Sequence, residues 1–237
     1  MPHPPAYPHD PIEEIATDLF MVRGSIRMNT LMRISRNMAI VRHQGELSLV
    51  NPIRLDEEGE RQLLALGDIK RILRLGPMHG LDDPYYVERF HAELWAQGKS
   101  EIYPEPKIEQ KLAADRPLPF PDAELFVFEG AKQPESALVI RRDPGILLTC
   151  DAIQHYGDYR HNTLLARLMM PFIGFPRTTI VGPIWLKLMT PEGGTLESEF
   201  RRLLTLEFDN LLSAHGSLLR GGAHAGVASA VERAFSR

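Results

Sequence analysis

The stretch "DRPLPFPD" (115–122) interrupts the 237-residue chain near its middle, and the patterns on its two sides constrain the fold more than any other feature. On the first side, "DLFMVRGSIRM" (18–28) and "TLMRISRNMAIVRH" (30–43) alternate or cluster apolar residues as strands do. "GELSLVNPI" (45–53) follows, with Gly45 at a hairpin turn and Pro52 closing the strand. "DEEGERQLLALGD" (56–68) sets acidic residues first, Leu63, Leu64 and Leu66 later, and Gly67 last, the layout of a short helix. "IKRILRL" (69–75) is the next strand. "DDPYYVERFHAELWAQG" (82–98) reads as a helix capped by Asp82 or Asp83, with Pro84 in its first turn and Gly98 ending it. "EIYPE" (101–105) reads as a short strand and "KIEQKLAA" (107–114) as a short helix.

Beyond the connector the strands return. "AELFVFEG" (123–130), "SALVIRR" (136–142) and "GILLTC" (145–150) are separated by turn residues, and "RRDPG" marks a hairpin. Helical patterns then dominate: "HNTLLARLMMPFIGF" (161–175), "TIVGPIWLKLM" (179–189), a long helix "TLESEFRRLLTLEFDNLLSAHG" (195–216) and a small-residue helix "GGAHAGVASAVERAF" (221–235). Strands then helices, twice over, predict sheets faced by helices on their outer sides.

Composition narrows the functional classes. With 43% hydrophobic and 24% charged residues, the chain reads as an ordinary globular protein. Its formal charge of -4 is spread without a Lys/Arg patch, which argues against a nucleic-acid partner. A single cysteine, Cys150, excludes an internal disulfide framework and a Cys-rich zinc ribbon, and it agrees with a cytoplasmic setting. "MPHPPAYPHDP" lacks the layout of a signal peptide, so residues 1–17 are expected to form an extended, poorly ordered lead-in and 18–237 a single domain. No apolar run reaches the roughly 18 residues that span a bilayer, so no transmembrane segment is expected. The nearest, "TLLARLMMPFIGF", is broken by Pro171 and Gly174. The Met-rich segment 161–189 can cover a site, form a homodimer interface or touch a membrane surface; core packing is its most ordinary reading.

Three polar places interrupt the apolar pattern. His79 lies in the loop after strand 69–75, where active-site residues gather in sheet-and-helix folds, with Asp82 and Asp83 close behind; the same aspartates also read as helix caps. Asp151 ends the buried run "GILLTC", with His155 four residues on, and it reads as a metal ligand or as a helix N-cap. His215, before Gly216, reads as a ligand or as a dipole-favoured residue at a helix end.

The order of these places resembles the metallo-β-lactamase superfamily, from about Asp18 onward. The family's His-rich loop corresponds to "LGPMHGLDD" (75–83), its Gly-His-Thr turn to "EGAKQPESALVI" (129–140), its Gly-Asp to "LLTCDAIQ" (147–154) and its late Gly-His-Gly to "SAHGSLLRGG" (213–222). The resemblance implies a four-layer αββα sandwich with metal at the strand ends between the sheets. It also implies an incomplete, degenerate ligand set. Pro77 stands where a histidine is expected, and Ala131 and Lys132 lie where another should be. The ligands that remain are His79, Asp151 and His215, with Asp83 or His155 as a further ligand, base or supporting group and Asp82 beside them. Such a set suits one divalent metal, zinc, iron or manganese.

Two functions follow. One is a metal-dependent hydrolase acting on an ester-, lactone-, thioester- or phosphoester-type small molecule. The other is a non-catalytic, metal-free relative that binds a small molecule or a protein, with Lys132 neutralising Asp151.

Overall fold

The computed structural model describes residues 3–142 and 144–236. In chain order, the first half contains β1 (Glu13–Ala16), β2 (Leu19–Arg27), β3 (Arg33–His43), β4 (Glu46–Val50), α1 (Glu57–Leu66), β5 (Asp68–Arg74), α2 (Asp83–Phe90), β6 (Glu93–Ala96) and β7 (Gln110–Lys111). The second half contains β8 (Ala123–Val127), β9 (Ser136–Ile140), β10 (Ile146–Thr149), β11 (Ile153–His155), α3 (Leu164–Met169), β12 (Thr179–Val181), α4 (Pro183–Met189), α5 (Glu197–Leu203), β13 (Asn210–Ser213) and α6 (Ala223–Phe235).

Strands β1 to β7 form one sheet in sequence order, antiparallel through β4 and parallel from β4 to β7. A second sheet has the order β13-β10-β9-β8, and β11 and β12 make a separate ribbon. Local chemistry explains several of these elements. Gln44 and Gly45 both take left-handed φ values of 53° and 80°, the twist of a two-residue turn, and so join β3 directly to β4. Helix α1 starts on Asp56, whose side chain accepts the Gly59 N–H at 2.8 Å.

Alternation along the strands separates three layers of core. Leu19 and Met21 of β2, Val41 of β3, Leu138 and Ile140 of β9, and Ile146 and Leu148 of β10 meet between the two sheets. The intervening residues Phe20, Val22 and Ile40 pack instead on Leu63 of α1 and Tyr86 of α2. On the far side, Val139 and Leu147 pack on Trp185 of α4, Phe200 of α5 and Val227 of α6. Both faces of each sheet are therefore buried, which gives helix, sheet, sheet, helix in four layers.

Several local expectations are corrected. The helix expected over 82–98 ends at His91, whose left-handed φ of 56° closes α2, and Glu93–Ala96 becomes β6 beside β5. No strand forms over 101–105, and within 107–114 the regular element is β7 rather than a helix. The long helix over 195–216 stops at Leu203, and Asn210–Ser213 pairs with β10 as a strand. The expected helices over 161–175 and 179–189 reduce to α3 and to β12 followed by α4. The lead-in is docked rather than loose. Asp10 N–H donates to Arg23 O at 2.8 Å, Ser25 Oγ–H donates to Pro8 O at 3.0 Å, and β1 pairs with β2. Met1, Pro2 and Asp143 of the "RRDPG" turn lie outside the described residues, and the β9–β10 pairing around that turn is antiparallel as expected. Among the described residues, no helix is long and apolar enough to cross a membrane.

Candidate metal centre

β10 and β13 run side by side in parallel, and Thr149 pairs with Ser213. Asp151 and His215 lie two residues beyond those partners, so strand register alone brings them together. The other sheet supplies the third residue, His79, from the loop after β5. Buried amides tie the two sheets at this end. Asn37 Nδ2 donates to Ser213 O at 2.8 Å, and Asn51 bridges Leu75 N (3.2 Å) and Thr149 O (3.3 Å). Ser136 N–H adds a bond to Leu75 O at 2.8 Å. Backbone close approach helps as well. A Cβ on Gly76 would collide with the Glu135 carboxyl and the Cys150 sulfur, and Gly216, at φ 82°, leaves no room for one against His155 O.

The candidate ligand atoms converge. His79 Nε2 lies 3.2 Å from Asp151 Oδ2, His215 Nε2 lies 3.3 Å from Asp151 Oδ1, and the two Nε2 atoms are 3.1 Å apart. All three side chains are largely buried, and one potential ligand atom from each falls within 4.8 Å of the others. His215 Nδ1 is 2.6 Å from Ser35 O, which only accepts, so Nδ1 carries the hydrogen and Nε2 of the neutral ring has a lone pair. Gln154 Nε2 donates to Asp151 Oδ1 at 3.2 Å, and Tyr156 Oη–H holds the Gln154 carbonyl at 2.7 Å.

The electrostatics follow from burial. Desolvation, only partly offset by Asp151, pulls His79 from 6.5 down to about 4, so its imidazole is neutral at neutral pH. Burial also opposes ionisation of Asp151, but the His79 and His215 rings outweigh it and hold that carboxyl well below the usual carboxylate range. Two imidazole nitrogens thus face one carboxylate. Their separations match the edges, about 3.3 Å, of a tetrahedron with ligand bonds near 2.0 Å, so the donor set fits a small divalent cation with one position left open.

The other candidates go elsewhere. Asp82 pairs with Arg36 at 3.2 Å and Asp83 with Arg74 at 2.6 Å, and neither makes the expected side-chain cap of α2. Burial raises both carboxyl pKa values against the pull of their arginines. His155 is in strand β11 rather than on a helix; its Nδ1 contacts Thr179 Oγ1 at 2.9 Å, and it lines a separate polar cleft with Asp10 and Arg23. Lys132 is exposed, and among the described residues its recorded bond is backbone N–H to Met189 O, so imidazoles and not an ammonium flank Asp151.

Sequence reasoning missed three supporting residues. Glu135 is fully buried, and its Oε1 accepts from Asp151 N (3.1 Å) and Ala152 N (3.3 Å). Burial first, and then the charge of Asp151, raise its pKa well above the ordinary value. Its placement just before β9 made it look like a turn residue. Gln154, between Ile153 and His155, gave a weak signal as a polar residue in an apolar run. Ser35 contributes through its backbone and gave none.

His79, Asp151 and His215 line a cavity of about 430 Å³. Its walls are mainly apolar: Ile26 and Ile34 from β2 and β3, Met170 and Phe175 from the segment after α3, and Ile184 from α4. The 161–189 segment therefore divides between packing, through Met170, Phe175 and Ile180, and covering this cavity.

No family model matches the sequence, and no curated protein matches it. Solved structures do. The DIM-1 metallo-β-lactamase exposed to ceftazidime superposes with a TM-score of 0.66 at 12% identity, covering 97% of this chain and 98% of that one. The metallo-β-lactamase FIM-1 from Pseudomonas aeruginosa, in a mono-zinc form, gives a TM-score of 0.66 at 12% identity and covers 99% of each chain. A metallo-β-lactamase from Erythrobacter litoralis, with β-mercaptoethanol in its active site, gives a TM-score of 0.66 at 11% identity over 94% and 96%. Identity this low speaks to architecture alone, and with the four layers and the strand-end site it establishes that this chain has the metallo-β-lactamase fold.

Proposed function

We propose that the protein is a metal-dependent hydrolase acting on a small molecule with an apolar body and an ester, lactone, thioester or phosphoester bond. The convergence of His79, Asp151 and His215 on one point in the cavity lining carries this reading. His79 and His215 would hold the cation through Nε2 and Asp151 through its carboxylate. A set of two nitrogens and one carboxylate suits zinc, iron or manganese. When bound, such a cation supplies Lewis acidity toward water and toward a carbonyl or phosphoryl oxygen.

The chain's own residues do the rest. Ser35 O and the Gln154 amide fix the orientations of His215 and Asp151, so the ligands need little rearrangement. The apolar walls exclude water around a bound substrate and favour an apolar substituent. Arg36 also lines the cavity beside His79, with its guanidinium paired to Asp82 at 3.2 Å.

Metal analysis of protein purified without chelators or metal-affinity resin tests the reading. The expected result is about one equivalent of divalent metal, lost in His215→Ala and kept in His224→Ala. Protein that binds no metal under these conditions, or that loses it equally in both variants, removes the basis for the proposal.

A further inference from the structure

The rim of this cavity is apolar on its outer side too. Phe172 is 90% exposed, Leu164 74%, Leu31 70% and Leu168 62%, and Met28, Ile173 and Ile184 are exposed while also lining the cavity. Helix α4 shows the inversion plainly. Trp185 and Met189 face the core, while Ile184 and Leu188, four residues apart, face outward. These positions form one face. Thr163, at the start of α3, donates across to the β2–β3 hairpin, its N–H to Arg33 O (3.1 Å) and its Oγ1–H to Leu31 O (3.3 Å). Monomeric surfaces seldom leave an apolar patch of this kind without a use.

The charge around that face is equally one-sided. The chain carries -4 overall, yet residues 19–33 and 159–191 contain no aspartate or glutamate. Arg27, Arg167 and Lys187 are exposed there, and the two arginines rest on backbone carbonyls of Asn29 and Asn162 rather than on carboxylates. Within the same segments Arg23 and Arg160 are paired with Asp158 and Asp10, as Arg42 is with Asp18 and Arg142 with Asp122 elsewhere, which leaves Arg27, Arg167 and Lys187 among the cations of this face.

We propose that this face docks on an anionic phospholipid surface, with the Phe172 turn entering the acyl region and the cavity mouth opening against the bilayer. Apolar side chains ringed by cations match the layering of such a surface, apolar within and anionic at the headgroups. A two-fold dimer through the same face would set each cation ring against its copy, an arrangement like charges disfavour. The inference does not depend on whether the cavity holds a metal. It gives the cavity a route for an amphiphilic substrate that need not cross water.

Co-sedimentation of the full chain with vesicles of phosphatidylcholine alone, and of phosphatidylcholine mixed equally with phosphatidylserine, is the test. The protein should partition onto the mixed vesicles at least about tenfold more strongly, and added salt should release it. Phe172→Asp and, separately, Lys187→Glu should each reduce that partition by about tenfold while leaving the thermal midpoint unchanged. The exposed Leu168→Asp serves as the second apolar variant should Phe172→Asp fold poorly. Protein that stays in solution with both vesicles, or variants that sediment like the parent, would overturn the proposal. So would a concentration-dependent dimer, dissolved by Phe172→Asp, in protein that ignores vesicles; a second copy would then cover the face.

Discussion

Asp83 and Asp151 are both buried aspartates just beyond the sheet region, and the chain uses them in opposite ways. Asp83 gives a carboxylate oxygen to Arg74 Nε at 2.6 Å, and the same guanidinium also holds the carbonyls of Tyr103 (2.9 Å) and Glu105 (3.2 Å). Asp151 faces two imidazole nitrogens and a glutamine amide. Arginine stays charged at any accessible pH, so its partner is permanently engaged in holding the 76–83 loop to β5. A neutral imidazole brings a lone pair, so Asp151 and its neighbours form a donor set open to a cation. Residue type and burial are shared; the partner decides the role.

The largest effect should come from Asp83→Ala, which strands a buried guanidinium. It is expected to cost about 3–5 kcal/mol in chemical denaturation, and a loss below about 1 kcal/mol would erase the structural side of the contrast. Asp151→Asn should weaken metal binding by at least about a hundredfold, beyond the range of a supporting group, while lowering the thermal midpoint less than Asp83→Ala does. Titration with a chelator competitor measures it, and an unchanged affinity would break the ligand side.

Glu135 sharpens the comparison. Burial and the Asp151 charge push the Glu135 carboxyl pKa well above the ordinary value, and a glutamine amide oxygen can accept the same Asp151 and Ala152 N–H groups, so Glu135→Gln should shift stability by less than about 0.5 kcal/mol. Glu135→Ala leaves the Asp151 and Ala152 N–H groups unsatisfied and should cost about 1–3 kcal/mol. Equal losses in the two variants would mean that the carboxyl is ionised and matters for its charge. The smallest effect is expected from Lys132→Ala, within about 0.5 kcal/mol and without change in metal content. A larger one would return Lys132 to the neighbourhood of Asp151.

What could be read from the chain depended on how local each signal is. Helix α6 follows from its run of small residues, and helix α1 from its leucine spacing and an Asp56 side chain that caps its own helix. Strand β13 did not. Leu203, Leu204, Leu211 and Leu212 fit helical spacing, but pairing with β10 and burial on both faces make Asn210–Ser213 a strand, and a run buried on two faces has no period to reveal it. Strand β6 was hidden because "ELWA" is only four residues long and is a strand by virtue of its pairing with β5 and β7.

The sequence by itself determined the alternation of strands and helices, the two outward-facing helical layers and the polar residues His79, Asp151 and His215 that break the apolar runs. The tertiary structure alone decided which acids meet those histidines. That choice rests on the parallel register of β10 with β13 and on two arginines that reach Asp82 and Asp83 first. Contacts between residues 64 and 136 positions apart are set by how sheets stack, and no local pattern encodes them.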